Sequence, residues 1–496
     1  MRTYRINLVL AACLAASFTL TLAQDNVLPV PLGDRQNETA TATSTNYTTT
    51  NATTTTTTTR RPKLANDCPQ ECQCTDKRMN CDNANLKSLS FITKSSSLVD
   101  FSFKNNLLQS VNFNNLPNSI ESLDLSNNSI RSIDKPKDKK SDGLNRLKSL
   151  NLSNNQLESI ANLTVWKMAQ ILNLDVSRNP IREINLTNLN TLKSLKSLKM
   201  DSLSNLIFLN ESTFSFLSAL ETLSLSRSLT KLSIPHLPDK IFSQNPKLKV
   251  LDLSYNNLAE VPHALRLTGA IEELRLDGNN MTSLRASDFH NRRALIKLYI
   301  SYCPYLEQID SFTFGNMDSL TILVVSNNPK LNQISLHAFA PIHDQVDDEI
   351  NNATRIDHLY ELIDLSGNKF STLSDPTKFV SLSFQRILLN DNPWHCDCNL
   401  CWVSSIPTTT IGSLMHCKTP AMYKDIEVSQ FIQTIDCDPT ETNYQRIVLA
   451  SFLIFLLVLA IAVFLQKANL DFCRRFQKDQ YGTIYYTKAS FPTEQV

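Results

Sequence analysis

One phrase of eleven residues returns along the middle of the chain. It holds aliphatic residues at its first, fourth, sixth and eleventh positions and asparagine at its ninth. It is plainest at Ile120, Leu123, Leu125, Asn128 and Ile130, at Leu147, Leu150, Leu152, Asn155 and Leu157, and at Leu248, Leu251, Leu253, Asn256 and Leu258. The interval, about 22–28 residues, constrains the fold more than any composition does. A unit of that size cannot bury its own apolar face and must stack on the next. Each L-x-L stretch is expected as a short strand with alternate side chains in and out. Each asparagine is expected to turn inward, where its amide satisfies backbone groups of neighbouring turns.

This is the leucine-rich-repeat pattern. It predicts an α/β horseshoe-shaped solenoid with a parallel sheet on its concave face. Twelve repeats open at Leu98, Ile120, Leu147, Ile171, Leu195, Leu220, Leu248, Ile271, Leu295, Leu320, Tyr360 and Phe384. Phe214, Phe289 and Phe339 are expected to fill the convex side. Leu203, Ser228 and Cys303 stand where asparagine is expected, so the fifth and sixth repeats should be locally irregular and Cys303 a buried free thiol. A basic insertion at Lys135 to Lys140 and an acidic one at Asp344 to Asp357 are expected as exposed loops.

Most of the 12 cysteines fall in two clusters that flank the repeats, Cys68 to Cys81 and Cys396 to Cys437. Such clusters suit disulfides in an oxidising compartment and would seal the open ends of the stack. By themselves, the first four cysteines allow three connectivities. Their spacing resembles the N-terminal cysteine cap of extracellular leucine-rich-repeat proteins. Asn392-Pro-Trp-His-Cys-Asp-Cys-Asn-Leu-Cys-Trp402, followed by Cys417 and Cys437, resembles the C-terminal cap of Toll-like, Slit-like and related adhesion ectodomains. The resemblance implies Cys68–Cys74, Cys72–Cys81, Cys396–Cys417 and Cys398–Cys437 bridges, with Trp394 and Trp402 packing the second cap. Cys401 departs from that pattern. It is expected either as an inert thiol beneath Trp402 or as an intermolecular disulfide joining a homodimer.

Arg2 and Arg5 precede an apolar run from Leu8 to Leu22 that ends in small residues, the pattern of a secretory signal peptide. A first membrane helix would need a longer run. Ile447 to Leu465 carries no charge or proline and is long enough to cross a bilayer. Lys467, Arg474, Arg475 and Lys478 follow it, which predicts a cytoplasmic tail and a type I single-pass protein at the plasma membrane; a GPI signal fits this basic tail poorly. The expected organisation is a signal peptide at 1–23, a disordered, glycosylated Thr-rich segment at 24–66, the first cap at 67–97 and repeats at 98–391. The second cap follows at 392–438, then a linker at 439–446, the transmembrane helix at 447–465 and the tail at 466–496. N-glycan acceptors stand at Asn37, Asn46, Asn51, Asn127, Asn151, Asn162, Asn185, Asn210, Asn280 and Asn352. In the tail, Tyr481 opens a sorting-type motif, Tyr485 and Tyr486 are candidates for phosphorylation, and Cys473 for palmitoylation.

No zincin, nucleophile-elbow or phosphate-loop motif is present, glycine is scarce at 8 residues, and 48 basic residues nearly balance 47 acidic ones. Catalysis, a cofactor and nucleic-acid binding are therefore not expected. The His-Cys-Asp-Cys run at 395–398 reads as disulfide chemistry rather than a metal site. Outward strand positions in the first six repeats are mostly Ser, Asp, Asn and Lys. From the eighth repeat on they include Glu273, Arg275, Lys297, Tyr299, Tyr302 and Val324, and tyrosine and arginine are interface anchors. The chain is expected to bind an extracellular or cell-surface protein there, for cell adhesion and recognition. The alternative is an accessory receptor, acting in cis with a signalling partner, because the tail is too short for the signalling domain of Toll-like receptors.

Overall fold

The computed structural model describes residues 68–92, 97–136, 144–184, 192–232, 236–290, 292–340, 359–375, 383–412, 414–435, 447–465 and 467. Within them, the periodicity becomes a 14-stranded sheet in chain order. It starts with an antiparallel pair from the first cap, Gln73–Cys74 on Arg78–Asn80. Every later pairing is parallel, and all twelve repeats contribute a strand. The register puts aliphatic on aliphatic: Leu123 against Leu150, Leu174, Leu198, Leu223, Leu251, Leu274, Leu298, Leu323, Ile363 and finally Ile387. Each is nearly inaccessible to solvent, while its strand neighbours are half-exposed or exposed on the other face.

The asparagines form the second spine. Asn155, for example, donates through Nδ2 to the carbonyls of Leu125 in the turn before and Leu152 in its own turn, both at 3.0 Å, and its Oδ1 accepts from Ile130 N–H. The substituted positions do not disturb the sheet, contrary to the irregularity expected there. Strands Ser197–Lys199 and Thr222–Ser224 pair in unbroken register. Ser228 replaces asparagine by donating Oγ to the Met200 carbonyl and accepting from Leu203 N–H. Leu203 itself is buried and brings no amide. Cys303 is a buried free thiol as expected, weakly donating to the Leu276 carbonyl, and burial pushes its pKa up to about 12.

On the convex side aromatic rings fill the wedge between turns, with Phe214 on Phe242 at 6.1 Å and Phe314 on Phe339 at 5.3 Å between centroids. Phe289 is buried beside them and Phe339 partly so. One buried side chain works against this packing. Arg292 is 3% exposed, in a convex position where Met168 and Met317 stand in other turns. It donates Nη1 to the Thr268 carbonyl and hydroxyl, its Nη2 has no partner, and desolvation pulls its pKa down to about 10. Burying a cation without a carboxylate is costly, and hydrophobic replacement of such groups is often stabilising. Arg292→Met is therefore expected to raise stability by about 1–4 kcal/mol, read as a shift of the urea midpoint; a fall would show that the guanidinium has a stabilising partner.

Both caps carry disulfides. Cys68–Cys74, Cys72–Cys81 and Cys396–Cys417 are present as the resemblance implies. Trp394 and Trp402 are buried and donate to the Leu389 and Leu373 carbonyls. The remaining bridge of the second cap differs. Cys398 is an exposed free thiol, whereas Cys401 is disulfide-bonded. The cause is the 3₁₀ helix Cys398–Ser405, which begins at the surface and turns Leu400, Trp402 and Val403 into the core. Cys398 stays outside on its first turn, and Cys401 lies further in, half-buried. The Cys398–Cys437 pairing and the intermolecular role of Cys401 are thus corrected; the partner of Cys401 lies outside the described residues, as does Cys437.

Ile447–Leu465 is one helix of 19 residues, long and apolar enough to cross a membrane. The acidic insertion at Asp344 to Asp357, most of the basic one, the N-terminal signal and Thr-rich segments, Tyr481, Tyr485, Tyr486 and Cys473 lie outside the described residues.

Candidate functional site

Five neighbouring strands build the candidate surface: Glu273–Arg275, Lys297–Tyr299, Ile322–Val324, Leu362–Asp364 and Ile387–Leu388. Alternation puts the first and third residue of each three-residue strand on the open face. The register then lines up Glu273, Lys297, Ile322 and Leu362 in one row, and Arg275, Tyr299, Val324, Asp364 and Leu388 in the next. Ile322, Val324, Leu362 and Leu388 are all half-exposed, so the rows pass from charged to apolar toward the second cap.

The charged end is held in place. Glu273 accepts from Arg275 at 2.7 and 2.8 Å and lies 3.7 Å from Lys297 Nζ. The Arg275 guanidinium sits 4.3 Å from the Tyr299 ring centroid. Burial opposes its charge, yet hydrogen bonding and the Glu273 carboxylate raise its pKa above the ordinary value. Partly exposed ion pairs of this kind add little stability. Their effect here is to fix Arg275 and Tyr299 in one geometry.

Tyr302 does not share the sheet face, contrary to expectation. It follows the strand at φ 58° and is 58% exposed on the rim. Its position belongs to a second series, one left-handed residue per turn, that includes Asn127, Asn154, Arg178, Ser202, Arg227, Tyr255, Gly278 and Asn327. There Arg227 stacks 4.3 Å from the Tyr255 ring. A Cβ on Gly278 would meet that ring at 2.1 Å, so the glycine leaves room for it. Neither this pair nor the far wall of the site was visible in the repeat pattern. That wall is the loop before Gly412, where Ile387 N–H donates to the Thr410 carbonyl and Gly412 N–H to Ile387. A Cβ on Gly412 would come within 2.4 Å of Arg386 and 2.5 Å of Leu388.

The opposite half of the sheet is polar and tied to itself. Asn151 donates to Asp124, Ser224 to Asp201, and Asn154 to Asn127. Asp201 is held above the ordinary carboxylate pKa by burial, despite its bonds to Ser224 and Ser226. The acceptor Asn151 lies on this face and Asn127 on its rim, both half-exposed; Asn210 is exposed, and Asn162 and Asn280 half-exposed. Asn37, Asn46, Asn51, Asn185 and Asn352 lie outside the described residues.

Family models agree with the repeats and the first cap of this architecture. The leucine rich repeat family matches residues 118–181 and 228–281, and the leucine rich repeat N-terminal domain matches 67–91. The chain is similar to Tsukushi of Gallus gallus, at 26% identity over 33% of this chain and 56% of that protein. It is also similar to leucine-rich repeat transmembrane protein FLRT2 of Rattus norvegicus, at 23% identity over 48% and 37%. The chain therefore spans less than two thirds of either relative. Among solved structures, a chain from the octameric complex of latrophilin 3, Unc5D and FLRT2 aligns with TM-score 0.40 and 19% identity, covering 73% of this chain and 97% of that one. The functional domain of InlJ from Listeria monocytogenes aligns with TM-score 0.44 and 16% identity, covering 70% and 72%.

Proposed function

We propose that the chain, whose repeats and first cap are matched by leucine rich repeat models, binds another protein outside the cell through the C-terminal half of its concave sheet, for adhesion or recognition between cells. The observation that carries this reading is the row from Arg275 and Tyr299 to Val324 and Leu388. It combines a pre-positioned Arg–Tyr pair with a half-exposed apolar centre, the composition of interface hot spots. In this reading the helix Ile447–Leu465 anchors the protein at the plasma membrane, with the solenoid outside and the acceptor asparagines glycosylated. FLRT2, a relative in sequence, is found in a complex with latrophilin 3 and Unc5D, which supports a protein as the partner class.

A glycan placed on the site tests it. Ile322→Asn with Val324→Thr creates an acceptor in the centre of the surface, while Asn151→Gln removes one from the polar half. Cells expressing the full-length protein are expected to aggregate. The added glycan should abolish that clustering, and loss of the Asn151 acceptor should leave it unchanged. Undiminished clustering by the glycosylated variant would refute the site. No clustering by the unmodified protein would turn the reading toward an accessory receptor.

A further inference from the structure

A single apolar side chain on a protein surface needs no explanation, but the second cap carries two on one hairpin. Among the described residues outside Ile447–Leu465, Met422 and Leu414 are the two most exposed large apolar side chains, at 73% and 62%. The hairpin closes through Val428 N–H, which donates to the Met415 carbonyl, Cys417 N–H, which donates to Ile426, and Asp425 N–H, which donates back to Cys417, all at 2.8–2.9 Å. Alternation sends Met415 and Cys417 into the core and leaves Leu414, His416 and Lys418 outside. The 3₁₀ turn Ala421–Tyr423 forms the tip, where Ala421, Met422 and Lys424 are exposed. The base is fixed. Cys417 is bridged to Cys396, Cys396 N–H donates to the Thr419 carbonyl at 2.8 Å, and the Tyr423 ring meets buried Phe431 edge-on, 4.8 Å between centroids. Met422 is thus held outward by a built turn.

We propose that this tip is a membrane-contact site whose occupant is the phospholipid headgroup layer of the bilayer crossed by Ile447–Leu465. The proposal rests on the reading of that helix as the membrane anchor. Chain length supports it. Phe431 lies in the helix Val428–Thr434, so the chain leaves the cap within about one helical turn of the residue that touches the tip. Eleven residues, 436–446, then separate Ile435 from Ile447. At ~3.3–3.6 Å each they span about 40 Å at most. The tip therefore stands at the end of the ectodomain from which the membrane is reached. Its chemistry fits the same occupant. Met422 is apolar and adaptable, suited to packing among lipid groups. Lys418 and Lys424 flank it, and lysine stems lie along apolar surface while their ammonium groups stay at the polar layer. Tyr423 between them has the amphipathic ring enriched at membrane interfaces. Asp425, the acid of the tip, lies 3.9 Å from Lys418. The consequence is orientation: a cap resting on the bilayer stops the solenoid from swinging on its linker and presents the Arg275–Leu388 surface at one height and angle.

Fluorescence quenching by lipid tests this. Full-length protein is reconstituted into phosphatidylcholine nanodiscs that contain a lipid with a nitroxide near its headgroup. A fluorophore is attached at single introduced cysteines, in a background where Cys398→Ser and Cys473→Ser remove competing thiols. A label at Met422→Cys should lose roughly half or more of its emission to the nitroxide lipid, as expected for a side chain seated in the interface. A label at Thr230→Cys, exposed on the repeats, should lose none. Ser451→Cys, one turn into the helix, separates the proposal from the reading beneath it. Quenching at Ser451→Cys without quenching at Met422→Cys overturns the proposal and leaves the anchor standing; quenching at neither overturns both. Equal quenching at Thr230→Cys and Met422→Cys also overturns the assignment to the tip. Adding Met422→Asp to a label at Ala421→Cys should abolish the quenching there. Met422 is exposed, so this change leaves the core intact, and undiminished quenching would show that Met422 does not make the contact.

Discussion

Asn256→Ala is expected to remove about 4 kcal/mol of stability, at about 1 kcal/mol for each of four bonds lost. Asn256 is 3% exposed. Its Nδ2 donates to the carbonyls of Leu225 at 3.0 Å and Leu253 at 2.8 Å, and its Oδ1 accepts from Ser228 and Leu229 N–H at 2.9 Å each. Alanine removes all four and adds a void. The loss also spreads, because Ser228 is itself the stand-in asparagine of the turn before. With its N–H released, the hydroxyl that serves Met200 and Leu203 is less firmly placed. Ser149→Ala, on the open face of the same sheet, should stay within about 0.5 kcal/mol. Urea unfolding of the two variants measures the difference, and equal midpoints would show that the ladder does not carry the turns.

Tyr299→Ala and Arg275→Ala should each weaken capture of the extracellular partner by about 2 kcal/mol or more, as interface anchors do. The two losses should not add, since the guanidinium lies over the ring and Glu273 holds it there. A double variant little worse than either single one would identify the pair as one unit. Ser122→Ala and Ser149→Ala in the polar half should change binding little. Surface binding titrations on cells bearing the partner read all of these. Equal losses at both ends, or none at Tyr299 and Arg275, would remove the site from this half of the sheet.

The backbone of this protein is almost wholly legible in its sequence, because the pattern and the fold share a period. Every L-x-L stretch became a strand, since alternate leucines have one sheltered face to enter. The inward asparagines were legible for the same reason, and so was Cys303 among them. The irregularity expected around Leu203 and Ser228 did not follow. Sheet register is set by the leucines, and the ladder position tolerates any side chain that fits, with serine still able to donate. What the period does not encode was missed. Whether Cys398 or Cys401 faces the core depends on the phase of a short helix after Asp397, which Leu400 and Trp402 set by their packing. Tyr302 is displaced to the rim because its backbone is left-handed, a property of the turn rather than of the strand. The wall at Gly412 comes from the cap folding back over Arg386 and Leu388, a contact between segments with no shared motif.

Leu203 carries a consequence beyond its own turn. Elsewhere, the ladder residue of each turn reaches back to a carbonyl of the one before, as Asn179 does to Leu152 and Asn279 to Leu253, and as Ser228 and Cys303 do in place of asparagine. Leu203 has no group with which to reach Val176. Among the described residues, the fourth and fifth turns are joined there by main-chain bonds, apolar packing and the Ser177 hydroxyl, which accepts from Asp201 N–H at 3.0 Å. In a stack whose stability is a sum over neighbouring interfaces, cooperativity divides at its weakest joint. Here the joint leaves the strands bearing Asp124, Asn151 and Asp175 on one side and the whole Arg275–Leu388 surface on the other. Tension or a protease acting on the first block would be absorbed there, and the recognition block would keep its shape as a separate thermodynamic unit.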